Sequence, residues 1–287
     1  KWRLGPRIGA GSFGVVHQGL DQVTGQLIAV SSHFNGQRQV LQEVAMMKRL
    51  RHRNIVCYLG AELHGSQLFI HEQFIAGGSL EAVLRTFGAI TVSVVRRYTL
   101  QILEGISYLH SCGVVHRDLK AANVLIDTCG TPRISDFGTS CINLDQSSTS
   151  MAGTPQFMAP EVLQRLDCGM PVDIWGFGCT LIQMITGHSP WHGLKLRTLP
   201  ALLAALNRAE GRMPPLPPGL DPALHVLLVS CFQWEPAQRP TSQQLLLSNF
   251  FSDAQAGACG GGNGDIESPC ASRQPRPPPV SRWFGTP

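Results

Sequence analysis

The segments most suited to chemistry lie near the middle of the chain. HRDLKAAN, residues 116–123, carries a carboxylate, a cation and an amide on one predicted loop, and DFG, residues 136–138, follows thirteen residues after Asn123. Magnesium is a hard cation that prefers oxygen ligands and usually keeps phosphate oxygens in its coordination shell. We therefore expect Asn123 and Asp136 to bind a magnesium ion that carries a nucleotide, while Asp118 faces an incoming hydroxyl group.

A zinc site is the alternative chemistry for this region, because His110 and Cys112 lie close to His116 in the sequence. No second pair of ligands is spaced to complete a zinc tetrahedron, and the nine cysteines form no Cys-x-x-Cys pair. We expect these three residues to end a helix and begin the loop. The scattered, odd set of cysteines indicates reduced thiols in an intracellular protein.

A glycine-rich stretch, IGAGSFGVV at residues 8–16, lies between two predicted strands. Glycines at three spaced positions allow a hairpin backbone to lie close over phosphate groups, since no Cβ atom is in the way. Taken alone, the stretch is more typical of an ordinary hairpin turn. It is not the dinucleotide-binding pattern, because a strand rather than a helix follows the glycines.

The predicted secondary structure that must position these residues divides into a strand-rich first part and a helix-rich remainder. β-Branched and aromatic residues predict five strands in roughly the first 75 residues, with one helix among them, and helical spacing dominates afterwards. This asymmetry predicts an α+β fold of two lobes. The predicted strands are 3–8, 15–20, 26–31, 56–61 and 67–73, and the predicted helices are 36–50, 79–86, 92–111, 171–187, 197–208, 221–233 and 241–250.

The composition argues against a nucleic-acid-binding protein and against a membrane protein. The 287 residues are 43% apolar, and the net charge of +4 is not gathered into one basic patch, which argues against binding nucleic acid through bulk charge. We expect no membrane insertion and a cytoplasmic location. The chain begins without methionine, so we expect it to be part of a longer polypeptide. Residues 252–287 contain glycine and proline runs and are predicted to be a disordered tail.

Five motifs in a fixed order resemble those of a eukaryotic protein kinase domain. They are the glycine-rich loop, HRDLKAAN, DFG, APE at 159–161 and DIWGFG at 173–178. The resemblance runs from about Trp2 to Phe251 and implies a mainly-β N-lobe with one helix, residues 1–75, and a mainly-α C-lobe, residues 76–251. The stretches GQLIAV, GTPQFMAPE and QRPT are similar to those of the STE-group mitogen-activated protein kinase kinase kinases.

The resemblance implies a role for each site residue. Asp118 would be the catalytic base, Lys120 would touch the γ-phosphate of ATP, and Asn123 and Asp136 would hold Mg²⁺. A lysine at position 120 and Thr154 are typical of the serine/threonine class. Asp173 would support the catalytic loop, and Arg239 would pair with Glu161. The nucleotide-binding residues would be Ile8, Gly9, Ala10, Gly11, Ser12, Gly14, Val16, Ala29, Ser31, Glu72, Ile75 and Leu125, of which Val16, Ala29 and Leu125 would sandwich the adenine ring.

Regulation by phosphorylation is a further expectation. Arg117, beside the catalytic base, is suited to bind a phosphate through charge-assisted hydrogen bonds. The candidate sites are Ser148, Thr149 and Ser150, with Thr149 or Ser150 favoured, whereas Thr154 would shape the substrate pocket. The alternative is that this segment is only a solvated polar loop.

The chain departs from the kinase pattern at Ser31. In the family a strand lysine grips the α- and β-phosphates and pairs with a helix glutamate, which here would be Glu43. Ser31 supplies no cation, and the nearby candidates Arg7 and Arg38 would displace packed strand residues to reach the site. Only twelve positions separate Ser31 from Glu43, fewer than the family usually has.

Glu72 is a second departure, with two interpretations. Counting back from the glycine pair at 77–78 places Glu72 where the family usually has an apolar residue behind the adenine pocket. A buried carboxylate there must find a donor or become protonated. If the strand register differs by one residue, Glu72 is instead the ordinary acidic residue of the hinge.

Two functions follow from these observations. One is an active serine/threonine kinase that phosphorylates a protein substrate, expected to be a downstream kinase in a stress or mitogen cascade. The other is a pseudokinase scaffold or allosteric partner that binds nucleotide weakly. The proline-rich tail also suggests a weak SH3-type ligand.

Overall fold

The amino-terminal part of the computed structural model is an antiparallel sheet of five strands in the order β1-β2-β3-β5-β4. The strands are β1 Trp2–Gly11, β2 Gly14–Asp21, β3 Leu27–Phe34, β4 Tyr58–His64 and β5 Gln67–Gln73. The structure describes residues 1–11, 14–34, 44–142, 153–166, 169–194, 199–206 and 213–252. The predictions for Ser12, Arg38, Glu43, Ser148, Thr149, Ser150 and the tail beyond residue 252 lie outside these ranges.

All five predicted strands are present, and their alternating side chains explain where they pack. Ile28 and Val30 are buried on one face of β3, whereas Ala29 and Ser31 lie on the other face, which they share with Ile70, the partner of Ser31 on β5. Alternation of side chains along each strand therefore leaves one face of β3 available to line a cavity.

The predicted helix 36–50 is only partly within the described residues. Residues 44–47 are helical, and we name this helix α1, but residues 48 and 49 form a turn and residue 50 is outside any helix. The prediction that the helix continues to residue 50 was wrong. The amides of Arg49 and Leu50 bond to carbonyls three residues back, which tightens and ends the helix.

Helices dominate from residue 80 onward. They are α2 Leu80–Phe87, α3 Val92–Ser111, α4 Pro160–Leu163, α5 Pro171–Thr186, α6 Leu199–Leu206, α7 Pro222–Cys231 and α8 Ser242–Leu246. Two short two-stranded antiparallel sheets lie among them, formed by β6 Val114–Val115 with β9 Cys141–Ile142, and by β7 Val124–Ile126 with β8 Pro132–Ile134. The sheet and the helical part confirm the predicted bilobal α+β fold.

One predicted helix is shorter than expected. The pattern at 241–250 predicts a single helix, but α8 ends at Leu246 and a 3-10 turn follows at Asn249–Phe251. The hydroxyl of Ser248 accepts a hydrogen bond from the amide of Phe250 at 3.3 Å and caps the new turn. Phe250 and Phe251 are thereby turned into the core.

The core of the helical part is built around α5, which is buried on nearly every side. Trp175 and Phe177 are fully enclosed, and Trp175 packs edge-on against Phe232 with ring centroids 5.0 Å apart. None of the helices in the described ranges has the length and apolar character needed to cross a lipid bilayer. The buried α5 matters for the site because Asp173 and Gln183 project from it.

Candidate active site

A cavity of about 680 Å³ lies between the sheet and the helical part. Eleven residues predicted to bind nucleotide or metal line it: Ile8, Gly9, Gly14, Val16, Ala29, Ser31, Glu72, Ile75, Asn123, Leu125 and Asp136. Ala10 and Gly11 end β1, where they pair with Val15 and Gly14. Strand ends, a loop and a short hairpin thus bring together residues that are far apart in the sequence.

Two glycines of the predicted phosphate loop have different physical roles. A Cβ atom on Gly14 would lie 2.7 Å from the carbonyl oxygen of Ser32, so glycine is required for β2 to pack on β3. A Cβ atom on Gly9 would meet no protein atom within 4 Å. The backbone at Gly9 therefore borders open space, as expected where a ligand approaches closely.

The opposite wall is set by the connection from β5 to α2. A Cβ atom on Gly77 would lie 2.2 Å from the carbonyl oxygen of Ile126, so only glycine allows this approach. The amide of Ile126 donates to Gly78 at 2.8 Å, and Ser79 caps α2 through the amide of Ala82. These contacts hold Leu125 at the floor of the cavity.

The loop at 116–123 holds Asp118 in a dense hydrogen-bond network. Lys120 Nζ lies 2.6 Å from Asp118 Oδ2 and 2.6 Å from Thr154 Oγ1. The Thr154 amide donates to Asp118 Oδ1 at 2.9 Å, and Asn123 Nδ2 donates to Oδ2 at 3.0 Å. Asp118 is only 4% exposed, so these donors compensate the desolvation of its carboxylate.

Asp173 anchors the start of the loop at 116–123. Its carboxylate accepts the amides of His116 at 2.9 Å and Arg117 at 2.8 Å, and it pairs with His110 Nε2 at 3.0 Å. Burial by itself would raise the pKa of Asp173, but the hydrogen bond and charge of His110, the charge of His116 and the His116 amide lower it overall. The left-handed backbone of Arg117, with φ of 67°, is held by this anchor.

The histidines near the loop do not form a zinc site. His110 contacts Asp173, and His116 Nε2 lies 3.0 Å from the carbonyl oxygen of Ser135. Across the described ranges, no three His, Cys, Asp or Glu side chains are grouped to hold a metal ion.

Asn123 and Asp136 supply oxygen atoms to the same end of the cavity. Ser135 donates its amide and its hydroxyl to the Asn123 carbonyl, at 2.9 and 3.0 Å, which ties the two segments together. Asn123 uses Nδ2 on Asp118, so its amide oxygen is the atom suited to a cation. The backbone of Asp136 has a left-handed φ of 63°. The Asp136 carboxylate and the Asn123 amide oxygen together are a set of oxygen donors that fits a hard divalent metal.

Comparison with known proteins agrees with this geometry. Residues 2–251 match the protein kinase domain family. The chain belongs to this family. It is 36% identical over 274 residues to mitogen-activated protein kinase kinase kinase 2 of Arabidopsis thaliana, covering 89% of the chain and 41% of that protein. It is 38% identical to mitogen-activated protein kinase kinase kinase A of Dictyostelium discoideum, covering 88% and 28%.

A third relative, cytokinesis protein sepH of Aspergillus niger, is 36% identical over 260 residues, covering 88% of the chain and 19% of that protein. The chain therefore spans less than half the length of these three relatives. The predicted resemblance to STE-group mitogen-activated protein kinase kinase kinases is confirmed.

The kinase domain contains the predicted structural ion pair. Arg239 donates to both carboxylate oxygens of Glu161, at 2.5 and 2.7 Å, and its guanidinium lies over the ring of Trp175. Both partners are at most 5% exposed. The bidentate geometry fastens the end of the APE motif to the helical core.

Ser31 and Glu72 are placed on the inner wall of the kinase cavity. Ala29 pairs with Glu72 in the sheet, and Gln73 is the last residue of β5 before the hinge. This register favours Glu72 behind the adenine pocket over the hinge interpretation. Burial and, secondarily, the charge of Asp136 raise the pKa of Glu72 to about 7. Among the described lining residues Arg85 is the one lysine or arginine, and it projects from α2.

Three residues of the site were not singled out from the sequence. His33 lines the cavity beside Ser31, and burial lowers its pKa although the charge of Asp136 opposes that shift. Gly153, with φ of 114°, lies against Asp118, and Gln183 Oε1 accepts the amide of Ala121 at 3.0 Å. The one sequence signal for Gly153 was its place just before Thr154.

Proposed function

We propose that this kinase domain transfers the γ-phosphate of ATP to a serine or threonine hydroxyl of a protein. The observation that carries the proposal is Lys120 Nζ, which contacts both Asp118 and Thr154 at 2.6 Å. One ammonium group thereby joins the candidate base to the segment that would hold the substrate. In this proposal the ammonium charge stabilises the negative charge that develops on the transferred phosphate.

Each residue of the loop has a distinct task in this mechanism. Asp118 orients the incoming hydroxyl and accepts its proton, while Lys120 stabilises charge on the phosphate oxygens. Thr154, through its amide, keeps the Asp118 carboxylate in place. Asn123 and Asp136 would hold Mg²⁺, which when bound neutralises phosphate charge and orients the phosphates.

The substrate is proposed to be another protein kinase. Support comes from the names of the relatives, which include six mitogen-activated protein kinase kinase kinases with 35–38% identity. Two expectations from the sequence remain predictions: a cytoplasmic location and weak SH3-type binding by the proline-rich tail.

A pseudokinase scaffold is the second candidate, and Ser31 is the observation that favours it. A serine at this place in β3 carries no charge, whereas a preorganised cation at a phosphate typically contributes about two to four powers of ten in rate. In that case the domain would bind nucleotide weakly and act through its surface.

Phosphate transfer distinguishes the two functions. The chain is incubated with γ-labelled ATP, Mg²⁺ and a generic serine/threonine kinase substrate, in parallel with Asp118→Asn. We expect labelled phosphoserine or phosphothreonine from the wild type and a loss of label in the variant. Label that stays equally low in both chains would favour the scaffold.

A further inference from the structure

His33 lies next to Ser31, the position at which the strand lysine is expected in a kinase. It lies two residues after Ser31 on β3, so strand alternation turns both side chains toward the cavity. The imidazole folds back along the strand, and its Nε2 atom lies 2.9 Å from Ser31 Oγ. At 6% exposure the ring is packed in place rather than free to move in solvent.

The Ser31–His33 pair faces the groups that would hold the phosphates. Asn123 and Asp136 line the same cavity, and the Asp136 carboxylate lies near enough to His33 for their charges to interact. Val16 pairs with Ser31 from β2 and forms the wall above it. A hydroxyl group can accept one hydrogen bond while donating another. Ser31 can therefore contact both the imidazole and a ligand.

We propose that the Nε2–H of His33 donates to Ser31 Oγ and thereby directs the Ser31 hydroxyl hydrogen to a phosphate oxygen of the nucleotide. Ser31 is the ligand-contacting residue, and His33 is a positioning residue. The pair takes the place of the strand lysine with neutral donors. The proposal rests on the proposed function, because it takes the ligand to be a nucleotide phosphate.

Binding of two probes tests this proposal, since ADP has phosphates and adenosine has none. The affinities of the full chain for Mg²⁺-ADP and for adenosine are measured by calorimetry for wild type, Ser31→Ala, His33→Ala and the double variant. We expect each single change to weaken ADP by about 2- to 10-fold, as for one neutral hydrogen bond. Because the two residues act as one unit, the double variant should be little worse than either single variant.

Two further variants separate positioning from simple packing. His33→Gln retains an N–H donor of similar reach and should keep most of the ADP affinity. His71→Ala removes another buried histidine of the same sheet, one that packs against Trp2 at 5.0 Å. This control should leave the ratio of ADP to adenosine affinity unchanged, even if it lowers the melting temperature.

The outcomes separate failure of this proposal from failure of the proposed function. Unchanged ADP affinity in both single variants, or an equal loss for ADP and adenosine, would overturn the Ser31–His33 pair while leaving the kinase assignment intact. A folded wild-type chain that binds neither probe would overturn the nucleotide site itself, and the pair with it.

Discussion

At the scale of single residues, Glu72 makes stability depend on pH. In the unfolded chain a glutamate ionises near pH 4.5, whereas the pKa of folded Glu72 is about 7. The stabilisation of the folded state is therefore complete below about pH 4.5 and is lost as pH rises through 7. Glu72→Gln removes this loss, so the variant should gain about 1 to 3 kcal/mol over wild type between pH 5.5 and 8.

Urea unfolding at pH 5.5, 6.5 and 8 measures this difference in free energy. Glu62→Gln is an instructive comparison, because a hydrogen bond with His64 lowers the pKa of Glu62 and reverses the sign of the effect. A constant difference between Glu72→Gln and wild type at all three pH values would show that Glu72 ionises normally.

Gly153 is a second residue whose identity we expect to affect catalysis. A Cβ atom there would lie 2.9 Å from the Arg117 carbonyl and 3.3 Å from Asp118 Oδ1. Gly153→Ala should push Thr154 away from Asp118 and lower the phosphate-transfer rate about 10-fold or more, a loss comparable with that of one positioned hydrogen bond.

Gly25→Ala is the matched control for this substitution. Gly25 also has a positive φ, 72°, but a Cβ atom there meets nothing within 4 Å. Both changes place an L side chain at positive φ, which strains the backbone by about 1 to 3 kcal/mol, but only the change at 153 disturbs the site. Equal rates for the two variants would contradict the role assigned to Gly153.

At the scale of elements, the Arg239–Glu161 pair joins the APE motif to α5. Arg239→Met leaves the Glu161 carboxylate buried without its partner, so we expect a loss of about 3 to 5 kcal/mol in the free energy of unfolding. Arg53→Met breaks a pair with Glu104 in which the arginine side chain is 67% exposed, and it should cost less than about 1 kcal/mol. Denaturant unfolding that gave similar losses for both variants would contradict this difference.

The sequence is most informative about the positions of the secondary-structure elements. The five strands follow from β-branched and aromatic residues, and contiguous motifs locate the catalytic loop. The end of α8 was missed because helical spacing continues past Leu246, and the Ser248 cap competes locally with that spacing. The contact between Gly153 and Asp118, 35 residues apart in the sequence, depends on the path of the chain and has no local signal.

Within β3, too, some side-chain positions could not be predicted from the sequence. The predicted strand 26–31 stops before His33, whereas β3 continues to Phe34 and so places Ser31 and His33 on one face. The rotamer that folds the imidazole back onto Ser31 is set by packing around it. The identity of Glu72 as a wall residue likewise needed the observed pairing with Ala29.

At the scale of the whole molecule, this kinase domain has its catalytic loop in place, and we expect Ser31, which supplies no cation, to hold the phosphates less tightly than a lysine would. Ser31→Lys adds a cation whose contact with the phosphates strengthens in the transition state, so it should raise the rate rather than binding alone. The His33 ring, 2.9 Å from Ser31 Oγ, must move to admit the lysine. We therefore expect only partial rescue, about 10-fold, less than the two to four powers of ten typical of such a group.

The rate of phosphate transfer in a single turnover, measured with wild type, Ser31→Lys and Asp118→Asn at saturating Mg²⁺-ATP, tests the central claim most directly. We expect Ser31→Lys to be fastest, wild type to be slower but active, and Asp118→Asn to be slowest, by about 100-fold or more relative to wild type. Equal rates for wild type and Asp118→Asn, with no gain in Ser31→Lys, would contradict the claim that this domain catalyses phosphate transfer.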